Sequence, residues 1–158
     1  KSVELLNNSI KTARDSLTSI REVVETLRGN SLVLLPDKTI QMLIDEFSKK
    51  TGTKIDLTVS GIAAQNYDLV TALYHILQEG MTNAVRHGKA TNIWIELIYD
   101  NNIVEFTLKD NGRGAETIKE GYGLKGIKER VKALNGSVEF KSERGFIVEG
   151  FLHCFQEG

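Results

Sequence analysis

Cysteine occurs once among the 158 residues, at Cys154, so no disulfide can form within the chain. A single thiol fits a reducing, cytoplasmic setting. Charge of either sign is not in excess: 20 Lys and Arg oppose 21 Asp and Glu, and the net charge of −1 excludes a general nucleic-acid binder, which would be clearly basic. No apolar run approaches the roughly 20 residues that span a bilayer, and no signal peptide opens the chain, so these residues are expected to make no membrane contact. Internal repeats and low-complexity tracts are also lacking. What remains is 41% hydrophobic and 26% charged, the balance of a soluble folded protein, and the length suits one domain or one domain with an appendage. The chain opens on Lys1 rather than Met, which leads us to expect a piece of a longer protein.

Residues 1–28 carry Val3, Leu6, Ile10, Ala13, Leu17, Ile20, Val24 and Leu27, spaced in alternating steps of 3 and 4. That is a heptad seam, which one helix cannot bury alone; it predicts a helix paired with another, with docking on its own domain as the alternative. Gly29-Asn30 supplies a stop. Ser31 to Pro36 reads as a linker or extended segment holding the single proline. Beyond it the pattern predicts a helix capped by Asp37 or Thr39 and running to about Lys50, a strand over Lys54–Val59, and a long amphipathic helix over Tyr67–His87. Two β-rich runs, Ile93–Tyr99 and Ile103–Lys109, are joined by an Asp100-Asn101-Asn102 turn. A helix over about Leu124–Leu134 and strands near Ser137–Ser142 and Phe146–Phe155 close the chain. The predicted class is α+β, a two-layer sandwich with helices on one face of a mixed sheet.

Three patches carry chemistry. On the Tyr67–His87 helix, Glu79, Asn83 and His87 fall at i, i+4 and i+8 and so stack along one edge of the apolar face, with Arg86 beside them. A carboxylate and an amide oxygen are hard ligands suited to Mg²⁺, although the same pattern also serves as a plain polar flank. Asp110-Asn111-Gly112-Arg113-Gly114 starts where a strand ends; its carboxylate can accept from an exocyclic amine such as that of adenine, and its glycines let backbone turn or approach a ligand. Alone it is equally a common turn. Gly121-Tyr122-Gly123-Leu124-Lys125-Gly126 leads into a helix, where exposed backbone N–H groups and the dipole favour an anion. A loop rather than a strand precedes it, which argues against a Rossmann fold, and the absence of a Gly-Lys-Ser/Thr ending argues against a P-loop.

In this order the three patches resemble the N, first glycine and second glycine boxes of the GHKL ATPase superfamily, which includes sensor histidine kinases, DNA gyrase, mismatch-repair ATPases and ATP-driven chaperones. Gln78–His87 and Gly123–Arg130 are similar to the histidine-kinase branch with a short nucleotide lid almost residue for residue. The likeness covers about residues 37–155, and residues 1–28 look like the second helix of that family's dimerisation and phosphotransfer hairpin. It implies a Bergerat-type sandwich that binds ATP with Mg²⁺ and donates the γ-phosphate to a histidine. It implies a division into residues 1–30, part of the hairpin, and residues 31–158, the catalytic domain. By the resemblance Asn83 would bind Mg²⁺, with Glu79 a second candidate ligand and a general base or water-orienting group. Arg86 and His87 would lie near the phosphates. Asp110 would read the adenine amine, with Gly112 and Gly114 shaping the pocket. Gly121, Tyr122, Gly123, Leu124, Lys125 and Gly126 would form the phosphate-side loop. Six residues, 115–120, separate the glycine boxes, too few for a long structured lid. A homodimer through the N-terminal helix and a response-regulator partner are implied as well, within a parent that is cytoplasmic or membrane-anchored.

Two departures stand out. Family members often carry Thr after the glycine of the last hairpin, where this chain has Gly145-Phe146. The phosphoacceptor motif, a histidine followed by an acid on the first hairpin helix, is missing: His75 and His87 lie on the long helix and His153 in the last strand. Autophosphorylation of this chain alone is therefore not expected. Two alternatives remain at this stage, a protein serine kinase of the anti-sigma-factor type, against which the heptad helix argues, and a non-enzymatic dimerising module whose glycines serve only turns.

Overall fold

The computed structural model describes residues 36–62, 66–114 and 122–154. The heptad segment and the linker after it lie outside the described residues.

Helix α1, Pro36–Thr51, is opened by the single proline rather than preceded by it. A proline at the first helical position lacks an N–H that would be unpaired there anyway, and its fixed φ already suits the helix. The helix buries Ile40, Leu43 and Ile44. It ends at Gly52, whose φ of +74° is left-handed and whose N–H donates to the Ser48 carbonyl at 2.8 Å. Strand β1 follows, Lys54–Ser60.

Helix α2, Tyr67–Arg86, is the spine of the helical layer. Asn66 caps it: its Oδ1 accepts from the backbone N–H groups of Asp68 at 2.9 Å and Leu69 at 3.3 Å. The Asn66 Nδ2 donates to the Cys154 carbonyl at 2.9 Å and ties the start of α2 to the end of the chain's last strand. Asn66→Ala is expected to cost about 1–2 kcal/mol in urea unfolding, from one cap and one long-range hydrogen bond. Asn66→Asp, which keeps the cap but not the amide donor, should fall between the two; equal stability of all three proteins would refute this account of Asn66.

The apolar arc of α2 faces inward as its spacing predicts, with Leu69, Leu73, Ile76, Leu77, Met81 and Ala84 all buried. Strands β2, Asn92–Asp100, and β3, Ile103–Asp110, form a hairpin turned at Asn101, whose φ is +49°. Helix α3, Tyr122–Ala133, and the hairpin of β4, Ser137–Ser142, with β5, Phe146–His153, complete the fold. Sheet order is β1-β2-β3-β5-β4, with β1 parallel to β2 and every other pair antiparallel. Alternation along the strands puts Ile93, Ile95, Leu97, Val104, Phe106, Leu108, Val148 and Leu152 on the side that the helices cover. Trp94, Glu96, Glu105 and Lys109 stand on the other side and are exposed. The fold is therefore the α+β two-layer sandwich that the pattern predicts.

Close approach of α2 to the sheet sets up the site. A Cβ on Gly80 would lie 2.8 Å from Leu108 Cδ1, so any larger residue would need the Leu108 side chain to shift for the helix to run this near β3. No helix among the described residues is long and apolar enough to cross a membrane.

Candidate functional site

Asp110 is the last residue of β3 and stands on the helix-facing side, opposite Ile93 of β2. Its exposure is only 1%. The Oδ1 atom accepts from the backbone N–H of Gly112 at 2.7 Å and from that of Phe146 at 3.3 Å. The Oδ2 atom is buried with no hydrogen-bond partner among the described residues. Burial pushes the carboxyl above its ordinary range, and the two backbone N–H groups pull it partly back. Leaving a buried carboxylate oxygen without a donor is costly. Such an atom is a socket for one N–H group.

The segment after Asp110 is pinned against the end of α2. The Asn111 side chain clamps the entry to β2: its Oδ1 accepts from the N–H groups of Thr91 and Asn92, each at 2.9 Å, and its Nδ2 donates to Thr91 Oγ1 at 2.9 Å. The Arg113 N–H donates to the Gly88 carbonyl at 2.8 Å. A Cβ on Gly112 would sit 2.5 Å from that carbonyl and 2.9 Å from Asp110 Oδ1, so the two chain segments touch only because Gly112 has none. Gly88 is in turn held by its N–H on the Asn83 carbonyl at 3.2 Å, beside that of His87 at 3.0 Å. The first and second sequence patches thus meet in space through backbone contacts that no spacing rule reveals.

Gly145, with φ of +123°, closes the far wall: a Cβ there would fall 2.0 Å from the Asp110 carbonyl. This left-handed turn aims the Phe146 N–H at the Asp110 carboxylate. Gly114, also left-handed at φ +71°, lies against Ser142 and Gly145.

Along the edge of α2, Glu79 is exposed, Asn83 half-buried, and Arg86 and His87 exposed. His87 caps the helix rather than continuing it. The third patch differs from its predicted form. Helix α3 begins at Tyr122, two residues before the start expected near Leu124, so Gly123 belongs to its first turn rather than to a preceding loop, while Gly121 lies outside the described residues. Packing accounts for the difference: Leu124 and Ile127 are buried against the other helices, and that gain outweighs about 1 kcal/mol of helix propensity lost per glycine. A Cβ on Gly123 would meet Glu79 Oε2 at 2.7 Å and Asn83 Nδ2 at 3.5 Å. The start of α3, where backbone N–H groups have no helical partner, therefore borders the Glu79–Asn83 edge. The sequence pattern gives Gly145 only as the glycine of the last hairpin and gives Asn111 and Gly88 no role of their own. The Asn111 clamp had one available signal, since Asn after a strand end commonly hydrogen-bonds nearby backbone.

Among the described residues no cluster of three or more His, Cys, Asp or Glu side chains could hold a metal by itself. A Mg²⁺ ion here would need ligand oxygens from a bound phosphate, the habit of that ion.

Residues 68–154 match the family of histidine kinase-, DNA gyrase B- and HSP90-like ATPases. The chain belongs to that family, and its catalytic ATP-binding fold is the one that the three motifs imply. Among curated relatives, the sensor histidine kinase LnrJ of Bacillus subtilis (strain 168) is 33% identical over 139 residues, covering 86% of this chain and 34% of LnrJ. The sensor histidine kinase YxjM of the same organism is 28% identical over 144 residues, covering 89% of this chain and 35% of YxjM. The chain thus spans about a third of the length of these relatives. Among solved structures, full-length ShkA in complex with AMPPNP superposes with a TM-score of 0.59 at 20% identity, over 73% of this chain and 28% of ShkA, a likeness of fold.

Proposed function

We propose that this chain is the ATP-binding catalytic part of a sensor histidine kinase, and that it transfers the γ-phosphate of ATP to a histidine on a hairpin helix outside these residues. The observation that carries the reading is the buried, unpartnered Oδ2 of Asp110. The adenine 6-amino group offers the N–H that this oxygen lacks, and guanine has an acceptor at that position. Full-length ShkA, which contains the same fold, was solved in complex with AMPPNP, and LnrJ and YxjM are named sensor histidine kinases, which favours a histidine over a serine acceptor.

Asp110 would hold the adenine amine, with Gly112 and Gly114 giving the base its space. Asn83 would offer its amide oxygen to Mg²⁺, with Glu79 one turn earlier as a second ligand or a water-orienting group. The Mg²⁺ ion, when bound, supplies neutralisation of phosphate charge. Arg86, His87, Lys125 and the N–H groups that begin α3 around Gly123, Leu124 and Gly126 would orient the phosphates, together with Gly121 and Tyr122. Phosphoryl transfer asks mainly for such positioning and charge. Residues 1–30 would supply one helix of the dimerisation hairpin, residues 31–158 the catalytic domain, and a response regulator would take the phosphate onward. On this reading the chain would belong to the cytoplasmic part of its parent.

Mg-ADP at 100 times its Kd should add about 2.7 kcal/mol of stability and raise the melting temperature by several degrees. With γ-labelled ATP the isolated chain should gain no acid-labile phosphate. Absence of both a thermal shift and a heat of binding would overturn the nucleotide reading. Acid-labile label on the chain would overturn the missing-acceptor part alone.

A further inference from the structure

Phe146 follows the left-handed Gly145 at the start of β5, and the structure gives its ring a definite setting. Its backbone N–H donates to Asp110 Oδ1 at 3.3 Å. The β3–β5 register runs to Lys109 opposite Ile147, so the next step sets Phe146 opposite Asp110, on the helix-facing side of the sheet. Across the β4–β5 hairpin, the Phe146 ring stacks on Phe140, with centroids 6.2 Å apart and planes at 22°. Lys128 of α3 lies over the other ring of this pair, its Nζ 5.8 Å from the Phe140 centroid. The pair is thus fixed from one side, while Phe146 itself stays only half-buried beside the buried carboxylate. A half-buried aromatic next to an unpartnered buried acceptor is the pairing that a flat heteroaromatic amine satisfies, one group taking its edge and the other its face.

We propose that Phe146 is a specificity-determining residue, the aromatic wall on which the adenine ring packs while Asp110 takes its amine. The proposal rests on the nucleotide reading above. The Phe146 ring offers π-surface, backed by Phe140 with Lys128 over that second ring, so base recognition leans on stacking plus one charge-assisted hydrogen bond.

The test measures Mg-ADP binding by calorimetry to the full chain and to Phe146→Leu, Phe146→Tyr and Asp110→Asn, with the adenine H2 proton followed by NMR. Phe146→Leu should weaken binding about tenfold, the scale of one lost base–aromatic stack. Phe146→Tyr, which keeps the ring, should bind within about twofold of wild type. The H2 resonance of bound ADP should move upfield in wild type and Phe146→Tyr, and that ring-current shift should disappear in Phe146→Leu. A purely structural role for Phe146 would lower the melting temperature of Phe146→Leu without giving wild type an upfield shift, and that result overturns the proposal. So does a Phe146→Leu protein with wild-type affinity and an unchanged H2 shift. If wild type binds Mg-ADP and Asp110→Asn binds it equally well, the placement of the base against Asp110 fails first, and the proposal with it.

Discussion

Asp110→Asn is expected to abolish Mg-ADP binding while leaving the fold intact. The amide keeps the shape of the carboxyl and an acceptor for the N–H groups of Gly112 and Phe146. Its Nδ2, however, replaces the Oδ2 oxygen and turns two donors toward an amine that also donates. A lost charge-assisted hydrogen bond removes about 1.5–3 kcal/mol, and the opposed donors add to it, so the loss should exceed about a hundredfold. The unliganded variant should be at least as stable as wild type at neutral pH, because it no longer holds a buried charge without a full set of donors. The pH dependence has a definite sign. Burial raises the folded-state pKa of Asp110, so the folded protein takes up this proton more readily than the unfolded chain. The contribution of Asp110 to stability is therefore fully present below the unfolded pKa and is lost as pH rises through the raised folded value. Nucleotide affinity should run the other way, falling as pH drops through that window and the carboxylate is protonated. Calorimetry across pH on both proteins checks all of this; an Asp110→Asn chain that binds Mg-ADP within threefold of wild type would sink it.

The second large effect is acid lability set by His75. This residue lies on α2 among buried neighbours, edge-on to the Tyr74 ring at 5.7 Å. Burial, and after it the charge of Arg130 on α3, lower its pKa from 6.5 to about 4. The unfolded chain therefore binds a proton that the folded chain refuses between those values. Stability from neutral His75 is full above pH 6.5 and is lost progressively as pH falls toward 4, amounting to roughly 3 kcal/mol over the whole window. Carboxylates also titrate there, so the useful quantity is a difference between proteins. The stability gap between wild type and His75→Phe should shift against wild type by about 2 kcal/mol on going from pH 7 to pH 5. Arg130→Met should shrink that shift in part, since the guanidinium is the smaller of the two causes. Parallel stability curves for wild type and His75→Phe in urea would show that His75 titrates normally.

Legibility differed from one part of the chain to another for physical reasons. Helix α2 was readable because twenty residues give the 3.6-residue period many repeats, and every predicted member of its apolar arc is buried. Strand β3 was readable because Val104, Phe106 and Leu108 alternate cleanly with polar residues. The ends were harder. Pro36 reads as the end of a linker unless its place at the first helical position is known, and Gly123 reads as loop because local propensity says nothing about what Leu124 and Ile127 gain by burial. Asp110 was identified as a candidate amine acceptor from its place after a strand, but its burial and its one unpartnered oxygen could not be foreseen.

The sequence by itself determined the order of elements, the class of fold and the family, because hydrophobic period and short motifs are local properties of a chain. It also placed Glu79 and Asn83 on one helical edge, which follows from helix geometry alone. Only tertiary structure decided that Gly112 lies against Gly88, that Gly145 and Phe146 close on Asp110, and that the start of α3 borders Glu79 and Asn83. Those contacts join segments 24 to 44 residues apart in the chain, counted between the numbered pairs 112 and 88, and 123 and 79. They depend on sheet register and on where a Cβ is absent, and no local pattern encodes either. The paired glycine patches therefore pointed to the candidate site, while the packing of the sheet against α2 supplied its buried acceptor.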